Sequence, residues 1–582
     1  MSWHRILDRQ ANVHASAVSN SVCIWSTLLL LLICFSSCSD TAQKGESIGN
    51  QTLWKSYDET EELKANAEHP ILRMRFKRIQ SKILDRNALF LPLYAEALVL
   101  DSTTYKRLLP LILEQPIPVL QDHIRAGDFS YEELTRFYLY RIYRYELNRA
   151  TNLNTIVALN AHAIEAAKNC DLILKALPHE KRHPIFGMPI LLKDNIGTAG
   201  MPTTAGAAAL REHRSDDAFI VRRLKQQGAI VLGKVNLSEW AYYFCEGCPV
   251  GYSAIGGQTL NPYGRGRFET GGSSSGSGTG AAAGYAVATV GTETSGSILS
   301  PSGQNNIVGL KPTIGLLSRS GIVPISSTLD TPGPMARNVI DAAILLDAMK
   351  GNDAEDPLAG KYYLEGTGFV PRNYSFTDKT FGVFENLMVQ DSCYAAAVEL
   401  LQKAGARIIR VNPKQPDLST FSTLLNADMK RDLSEYLMRY VKDTTAVRIK
   451  SALDVLEFNR QDTALYAPYG QARMQGVASD TTLSTVLEDV KLKLLQQGRQ
   501  FFQTDAKQGK IDAFLSVNNR HAGVAAVAGY PALAVPMGFR KSGEPVGLTF
   551  IGKPFQEELL LDMGHAFELL HPIRQMPTDF KD

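Results

Sequence analysis

The sequence predicts an α/β fold, because segments with helical character alternate with short apolar runs that are typical of buried strands. Residues 216–227 have a helical pattern and end at Gly228, a residue type that commonly terminates helices. The apolar run 229–232 follows directly and predicts a buried strand. Two more apolar runs, 513–517 and 547–551, predict strands near the C-terminus.

The composition is that of a large globular protein. Of the 582 residues, 45% are hydrophobic and 21% are charged, which is enough apolar material for a substantial core. The formal net charge is only +2, so the charge balance gives no reason to expect a nucleic-acid partner.

Residues 1–38 are predicted to form a lipoprotein-type signal peptide. Residues 22–35 are apolar, too short a run for a comfortable membrane span of about 20 residues but long enough for a signal-peptide core. Small residues then precede Cys38, a pattern that resembles a bacterial lipobox, so we expect Cys38 to be lipidated. The protein would be exported and anchored in a membrane by that lipid, on the periplasmic or cell-surface side. A plain membrane anchor is the alternative.

Two segments separate this leader from the main domain. Residues 39–52 are polar and suit a flexible tether, and residues 53–114 are predicted to be a helical extension. The helical pattern is clearest in residues 62–84. No motif that carries chemistry stands out here, so we expect the extension to pack on the main domain, with docking of a partner as the alternative.

The main domain is predicted to span residues 115–582. Its first well-marked helix follows Ser130, because Ser130 and Glu133 have the spacing of a capping box ahead of an apolar stripe.

Lys193 and Ser297 are the candidate reactive residues of this domain. A serine hydroxyl needs a base within hydrogen-bond reach, and lysine can be that base only when it is neutral. Lys193 ends the apolar run 188–192, and burial at the end of such a strand lowers the pKa of a lysine. Ser297 lies in the glycine- and serine-rich stretch 271–303, where backbone N–H groups can converge on one oxygen.

These segments resemble the amidase signature family of serine hydrolases. In that family the nucleophile follows a bridging serine by 24 positions, which is the spacing of Ser273 and Ser297 here. The resemblance covers the chain from about residue 117 onward. Further segments similar to the family are 236–240, 256–263, 308–326, 330–337, 467–471 and 528–539.

The resemblance implies a catalytic mechanism and an architecture. Lys193 would be the base, Ser273, on a cis peptide bond, the proton relay, and Ser297 the acylated nucleophile. The oxyanion hole would consist of the backbone N–H groups of Thr294, Ser295, Gly296 and Ser297. The fold would be one large domain with a mixed central sheet covered by helices, working without a cofactor or metal.

The segments are most similar to the bacterial peptide-amidase branch, whose members hydrolyse C-terminal amides, so a small-molecule or peptide amide is the expected substrate. Many family members have an aspartate and two glycines before the nucleophile and an arginine soon after it. This chain has Glu293, Ser295 and Leu299 instead. Glu293 keeps the carboxylate, whereas the missing arginine removes a possible contact with a substrate carboxylate.

Two other functions remain open. The glutaminase subunit of a tRNA-dependent amidotransferase shares this triad, but it works in the cytoplasm with partner subunits, and the leader argues against it. A catalytically silent surface lipoprotein that uses the fold as a binding module is the second alternative.

Three other motifs have simpler interpretations. Residues 179–183 spell the zincin motif H-E-x-x-H, but prolines on both sides favour a charged loop. Residues 272–276 fit the nucleophile elbow G-x-S-x-G, with His521 or His565 as its histidine, but a polar segment precedes them where a strand is required. Cys245 and Cys248 could form a local disulfide or remain two buried thiols.

Overall fold

The computed structural model describes residues 52–176, 182–360, 368–503 and 510–582. Within these ranges, eleven strands form one central sheet, and β4 and β5 form a separate small hairpin. In chain order the strands are β1 (Ile156–Leu159), β2 (Pro189–Lys193), β3 (Ile230–Val235), β4 (Tyr252–Ser253), β5 (Gly257–Gln258), β6 (Ala288–Glu293), β7 (Val308–Lys311), β8 (Thr331–Ala336), β9 (Thr380–Phe384), β10 (Arg407–Val411), β11 (Ala513–Val517), β12 (Ala532–Phe539) and β13 (Pro545–Ile551).

The central sheet is mixed, as the resemblance implies. Its strand order is β1-β3-β2-β6-β8-β7-β12-β13-β11-β9-β10. The pairs β2 with β3, β2 with β6, β11 with β9, and β9 with β10 are parallel, and the other neighbours are antiparallel. Every residue of β2, β6, β7 and β8 is buried, so both faces of this part of the sheet are covered.

Helices cover the sheet and form a second hydrophobic cluster beside it. In chain order they are α1 (Thr60–Ala67), α2 (Arg86–Leu98), α3 (Ser102–Ile112), α4 (Ile117–Ala126), α5 (Tyr131–Glu146), α6 (Ala163–Ala176), α7 (Phe219–Gln226), α8 (Ser275–Ala282), α9 (Leu299–Gln304), α10 (Val339–Met349), α11 (Glu385–Gln390), α12 (Ser392–Lys403), α13 (Phe421–Tyr440), α14 (Ala452–Arg460), α15 (Thr463–Tyr466), α16 (Ala472–Ser479), α17 (Ser484–Phe501), α18 (Ala522–Ala528) and α19 (Glu557–Leu570).

Most elements predicted from the sequence are confirmed. The capping box at the start of α5 is present, with the Glu133 N–H donating to Ser130 Oγ at 3.1 Å and the Ser130 N–H donating to the Glu133 carboxylate at 3.0 Å. β11 has the predicted bounds, and β3 and β13 overlap the other two runs. The helix predicted from residue 216 begins only at Phe219, because the Asp217 carboxylate accepts the N–H of Ala199 at 2.8 Å and stays outside the helix.

The helical pattern expected over residues 62–84 is wrong for most of that stretch. α1 ends at Ala67, and only the short 3-10 helix Leu72–Met74 follows before α2. Pro70 explains the break, since proline has no N–H to donate and its ring clashes with the preceding turn of a helix.

The extension packs on the main domain. Apolar side chains of α2 and α3 belong to the same hydrophobic cluster as the sheet. A buried ion pair adds to this packing, because Arg86 on α2 donates to the carboxylate of Glu146 at the end of α5 at 3.2 Å. Arg86 also donates to Asn154 Oδ1 at 3.0 Å.

The predicted leader is outside the described part of the protein. Residues 1–51, which include Cys38 and nearly all of the predicted tether, are not among the described residues. Within the described ranges, no helix combines the length and the apolarity needed to cross a bilayer.

Candidate active site

Lys193 lies in the interior of the sheet, at the end of β2 and between β3 and β6. Its side chain is fully buried. Lys193 Nζ lies 2.8 Å from Ser273 Oγ, 2.9 Å from Thr292 Oγ1 and 3.1 Å from the Thr292 carbonyl oxygen. The structure therefore brings together two of the three predicted triad residues, which are 80 positions apart in the chain.

The environment of Lys193 favours its neutral form. Burial lowers the pKa of Lys193 to about 7, and the carboxylates of Asp330 and Glu293 oppose this effect without cancelling it. A neutral amine has two N–H groups and one lone pair. The two Thr292 oxygens can accept both N–H groups, which leaves the lone pair for the hydroxyl of Ser273.

Ser273 lies just before α8 and is fully buried. The peptide bond between Gly272 and Ser273 is cis, as the resemblance implies. The Ser273 carbonyl oxygen accepts the N–H of Ser238 at 3.0 Å. The backbone of Ser273 is thus hydrogen-bonded to the loop after β3, while its hydroxyl contacts the Lys193 amine.

Ser297 lies in the loop between β6 and α9 and is partly exposed, unlike the other two residues. Its carbonyl oxygen accepts the N–H of Ser274 at 3.1 Å, so the backbone of Ser297 lies beside the segment that carries Ser273. Gly296 has φ of +115°, a conformation that other residues rarely adopt, so the turn that presents Ser297 requires a glycine.

Glu293 holds the start of α9. Its carboxylate accepts the N–H groups of Ile298 and Leu299 at 2.7 and 3.0 Å. Burial raises the pKa of Glu293, whereas the charge of Lys311 and these backbone N–H groups favour the carboxylate. The glutamate at this position therefore fixes the loop that carries Ser297.

The predicted oxyanion donors differ in their availability. Among the residues that the structure describes, the N–H groups of Thr294, Ser295 and Ser297 donate to no acceptor. The N–H of Gly296 instead contributes to stabilising the Glu293 carboxylate. Three of the four predicted N–H groups are thus free to bind an oxyanion.

Asp330 restrains the same loop from the other side. Its carboxylate accepts hydrogen bonds from the Thr294 hydroxyl at 2.6 Å and from the N–H groups of Ile325 and Ser326 at 2.8 and 2.9 Å. Burial raises the pKa of Asp330 to about 6. Asp330 therefore joins residues 294–297, the loop that carries the predicted oxyanion donors, to residues 325 and 326 before β8.

A cavity of about 460 Å³ opens beside these residues. Thr292, which contacts Lys193, and Thr294, which carries the first predicted oxyanion N–H, both line it. Residues on one face of α13 also line the cavity. The cavity volume lies within the range of roughly 300–1,000 Å³ that is typical of sites for small ligands.

The roles of Thr292 and Asp330 were not predicted from the sequence. Thr292 supplies two of the three hydrogen-bond contacts of Lys193. Its hydroxyl oxygen also accepts a hydrogen bond from Asn195 Nδ2 at 3.0 Å. Thr292 stands five positions before Ser297, and Asp330 opens a segment that resembles the family. Their position in these segments was the only signal, because neither a threonine nor an aspartate by itself indicates a neighbour of Lys193.

The competing motifs do not form sites in the described structure. Ser274, the serine of the alternative elbow, donates to the Thr292 carbonyl oxygen at 3.0 Å. His521 contacts Ser516 at 2.7 Å, and His565 lies 3.9 Å from Glu568, so neither imidazole pairs with Ser274. Within the described ranges, no three His, Cys, Asp or Glu side chains are grouped so as to hold a metal ion.

The two cysteines of residues 245–248 are bonded to each other, and the H-E-x-x-H motif of residues 179–183 is only partly described. Cys245 and Cys248 form a disulfide, which decides between the two alternatives left open by the sequence. Of the H-E-x-x-H motif, residues 179–181 lie outside the described residues. His183 Nε2 lies 3.0 Å from Asp347 Oδ2.

Comparison with known proteins identifies the family and the fold. The sequence model of the Amidase family matches residues 133–561. The crystal structure of an amidase family protein from Bacillus anthracis str. Ames is 35% identical, covers 86% of this chain and all of that chain, and has a TM-score of 0.80. Native peptide amidase from Stenotrophomonas maltophilia is 34% identical, with 80% of this chain and 98% of that chain covered and a TM-score of 0.73.

A curated relative represents another activity. One subunit of the glutamyl-tRNA(Gln) amidotransferase from Exiguobacterium sibiricum is 31% identical over 497 residues, which cover 79% of this chain and 98% of the relative. Since the family match spans most of the chain and the solved amidases share its fold, the chain belongs to the amidase signature family and is an enzyme that acts on amide carbon–nitrogen bonds.

Proposed function

We propose that this enzyme hydrolyses carboxylic or peptide C-terminal amides through an acyl-enzyme on Ser297. The observation that carries the proposal is the 2.8 Å contact between Ser273 Oγ and the buried Lys193 amine, whose pKa is lowered to about 7. The structural similarity to a peptide amidase supports the substrate class.

The first step of the proposed reaction forms the acyl-enzyme. Ser297 Oγ attacks the amide carbonyl carbon while its proton passes to Ser273 Oγ and the Ser273 proton passes to Lys193 Nζ. The negative oxygen of the tetrahedral intermediate binds the free N–H groups of the oxyanion loop. The relay then returns the proton to the leaving nitrogen, the carbon–nitrogen bond breaks, and ammonia or an amine departs.

The second step repeats this pattern with water. A water molecule gives a proton to the same relay and attacks the acyl carbon. When the second tetrahedral intermediate collapses, the proton returns to Ser297 Oγ and the carboxylic acid is released. Every proton taken by Lys193 is thus given back within each half of the reaction.

Covalent labelling tests the triad. We expect a fluorophosphonate probe to add one adduct to the purified protein, mapped to Ser297, because only an activated serine attacks this phosphorus centre readily. The measurement is intact-protein mass spectrometry followed by peptide mapping. The adduct should be absent from Ser297→Ala and from Lys193→Ala. An unlabelled but folded native protein would instead favour the catalytically silent binding module.

The glutaminase activity of a tRNA-dependent amidotransferase is the second candidate, because one subunit of such an enzyme is 31% identical over nearly its whole length. Hydrolysis of glutamine alone and with candidate partner subunits separates the two functions. A peptide C-terminal amidase should release ammonia from acetylated peptide amides without any partner, whereas a glutaminase subunit should prefer glutamine and respond to its partners.

We also propose that the enzyme is exported and anchored through a lipid on Cys38. The support is the apolar run 22–35 followed by small residues and a cysteine. In a bacterial host, Cys38→Ser should move the protein out of the membrane fraction and remove incorporation of labelled palmitate, while Cys170→Ser serves as the control for loss of a cysteine. Unchanged fractionation of Cys38→Ser would contradict the anchor.

A further inference from the structure

The cavity of about 460 Å³ connects the surroundings of Lys193 with α13. Its lining includes Thr292, which contacts Lys193 at 2.9 Å, and Thr294. It also includes residues of α13 and Glu355. A ligand that fills this space therefore contacts α13.

The inference rests on the proposed function. If the leaving group is ammonia, it needs almost no room, so a cavity of about 460 Å³ serves the acyl part of the substrate instead. The apolar part of the cavity lining suits an apolar chain. The apolar side chains of the lining are Ile322, Val323, Pro324, Ile325 and Pro332, together with the ring of Tyr436 on α13.

The charged side chains that line the cavity differ in how completely they are paired. Five carboxyl groups and four cationic side chains line the cavity. Arg431 binds Asp428 and Asp432 at 2.9 and 2.7 Å, and Arg439 binds Glu355 at 2.9 Å.

The two remaining cations are also engaged. Arg319 binds the Asp356 carboxylate at 2.6 Å, and Lys491 binds Glu488 at 2.9 Å. All four cations that line the cavity therefore have a carboxylate partner within hydrogen-bond distance.

Glu435 differs from the other carboxylates of the cavity. Among the residues that the structure describes, its side chain has no hydrogen bond or ion pair. It lies on α13 four positions from both Arg431 and Arg439, but those guanidinium groups are bound to other carboxylates. Asp330, in contrast, is saturated by the Thr294 hydroxyl and two backbone N–H groups.

We propose that this cavity binds the acyl part of amides that carry an apolar stem ending in an ammonium or guanidinium group, and that Glu435 determines this preference. The apolar walls bind the stem, and the unpaired carboxylate at the mouth binds the cation. Because Glu435 is exposed to solvent, its attraction is screened by salt and moderate in size.

A pair of matched substrates tests the preference. Acetyl-Ala-Lys-amide and acetyl-Ala-norleucine-amide differ only in the terminal ammonium group, so the ratio of their kcat/KM values isolates the effect of the charge. We expect the full-length native enzyme to favour the lysine amide. Glu435→Gln should lower that ratio about two- to fivefold, through a lower kcat/KM for the lysine amide. Glu457→Gln is the control, because Glu457 is an exposed glutamate on α14 outside the cavity lining.

Two further measurements complete the test. Raising the ionic strength should lower the ratio in the native enzyme and leave it unchanged in Glu435→Gln. Binding of both amides to Ser297→Ala and to Ser297→Ala with Glu435→Gln, measured by calorimetry, reports the preference without turnover.

The outcomes separate the two proposals. If the native enzyme hydrolyses neither amide but Ser297→Ala binds the lysine amide more tightly in a Glu435-dependent way, the cation preference stands and the proposed function fails. If both amides are hydrolysed and the ratio is the same in native enzyme and Glu435→Gln, the proposed function stands and the role of Glu435 is refuted.

Discussion

Ser297→Ala is expected to lower kcat for amide hydrolysis by a factor of at least about 10⁴, because the proposed acyl-enzyme cannot form without the Ser297 hydroxyl. The fold should be unaffected, since Ser297 is partly exposed and contributes its backbone rather than its side chain to the surrounding hydrogen bonds. The measurement is release of ammonia from an acetylated peptide amide, followed over hours so that a small residual rate is detected.

Ser300→Ala is the matched control. Ser300 lies on α9, three positions after Ser297, is buried, and has no side-chain hydrogen bond among the described residues. Its loss should leave kcat within a few-fold of the native value. Comparable activity in Ser297→Ala and Ser300→Ala would eliminate Ser297 as the nucleophile.

Lys193→Met is expected to reduce kcat/KM by about 10²–10⁴-fold, because the methionine side chain fills the space of the lysine but accepts no proton. In the native enzyme, kcat/KM should rise about tenfold for each pH unit below the Lys193 pKa of about 7 and become level above it. The variant should lack this rise. A native pH profile that is flat between pH 5 and 8 would contradict a lysine base.

Stability should respond to Lys193→Met in the opposite sense to activity. The pKa of Lys193 is about 7 in the folded protein and 10.5 ordinarily, so between these values unfolding takes up a proton and native stability rises with pH. Methionine carries no such dependence. The variant should therefore unfold at an equal or higher denaturant concentration than the native protein at pH 7, and its advantage should shrink toward pH 10. A lower midpoint for the variant at pH 7 would indicate a charged, well-compensated lysine.

The sequence was most informative where residues with reactive side chains lie in segments of recognisable backbone structure. Lys193 at the end of an apolar strand and the 24-residue spacing of Ser273 and Ser297 were recognisable, and the structure places Lys193 against Ser273 at 2.8 Å. Four strands, β2, β3, β11 and β13, were recognisable because they coincide with or overlap apolar runs. The equally buried β6 was not, since its sequence Ala288–Glu293 contains two threonines, a glycine and a glutamate.

Features that depend on tertiary partners were not recognisable. The contact between Thr292 and Lys193 results from the register of β2 against β6, which no local pattern reveals. The cavity exists because the α13 segment faces the loop before β8, more than a hundred positions earlier in the chain. The disulfide was undecided for a different reason, since the spacing of Cys245 and Cys248 is compatible with both thiols and a bond.

The pairing of β7 with β12 has a consequence for the time course of synthesis. Gly309 in β7 pairs with Ala534 in β12, roughly 225 positions later. A ribosome that adds roughly 5–20 residues each second needs on the order of 10–45 s to make that interval. During this time β7 presents an edge of unpaired N–H and C=O groups, which can pair with other nascent chains. We therefore expect the yield of soluble enzyme to depend on the speed at which the ribosome translates the interval between these two strands.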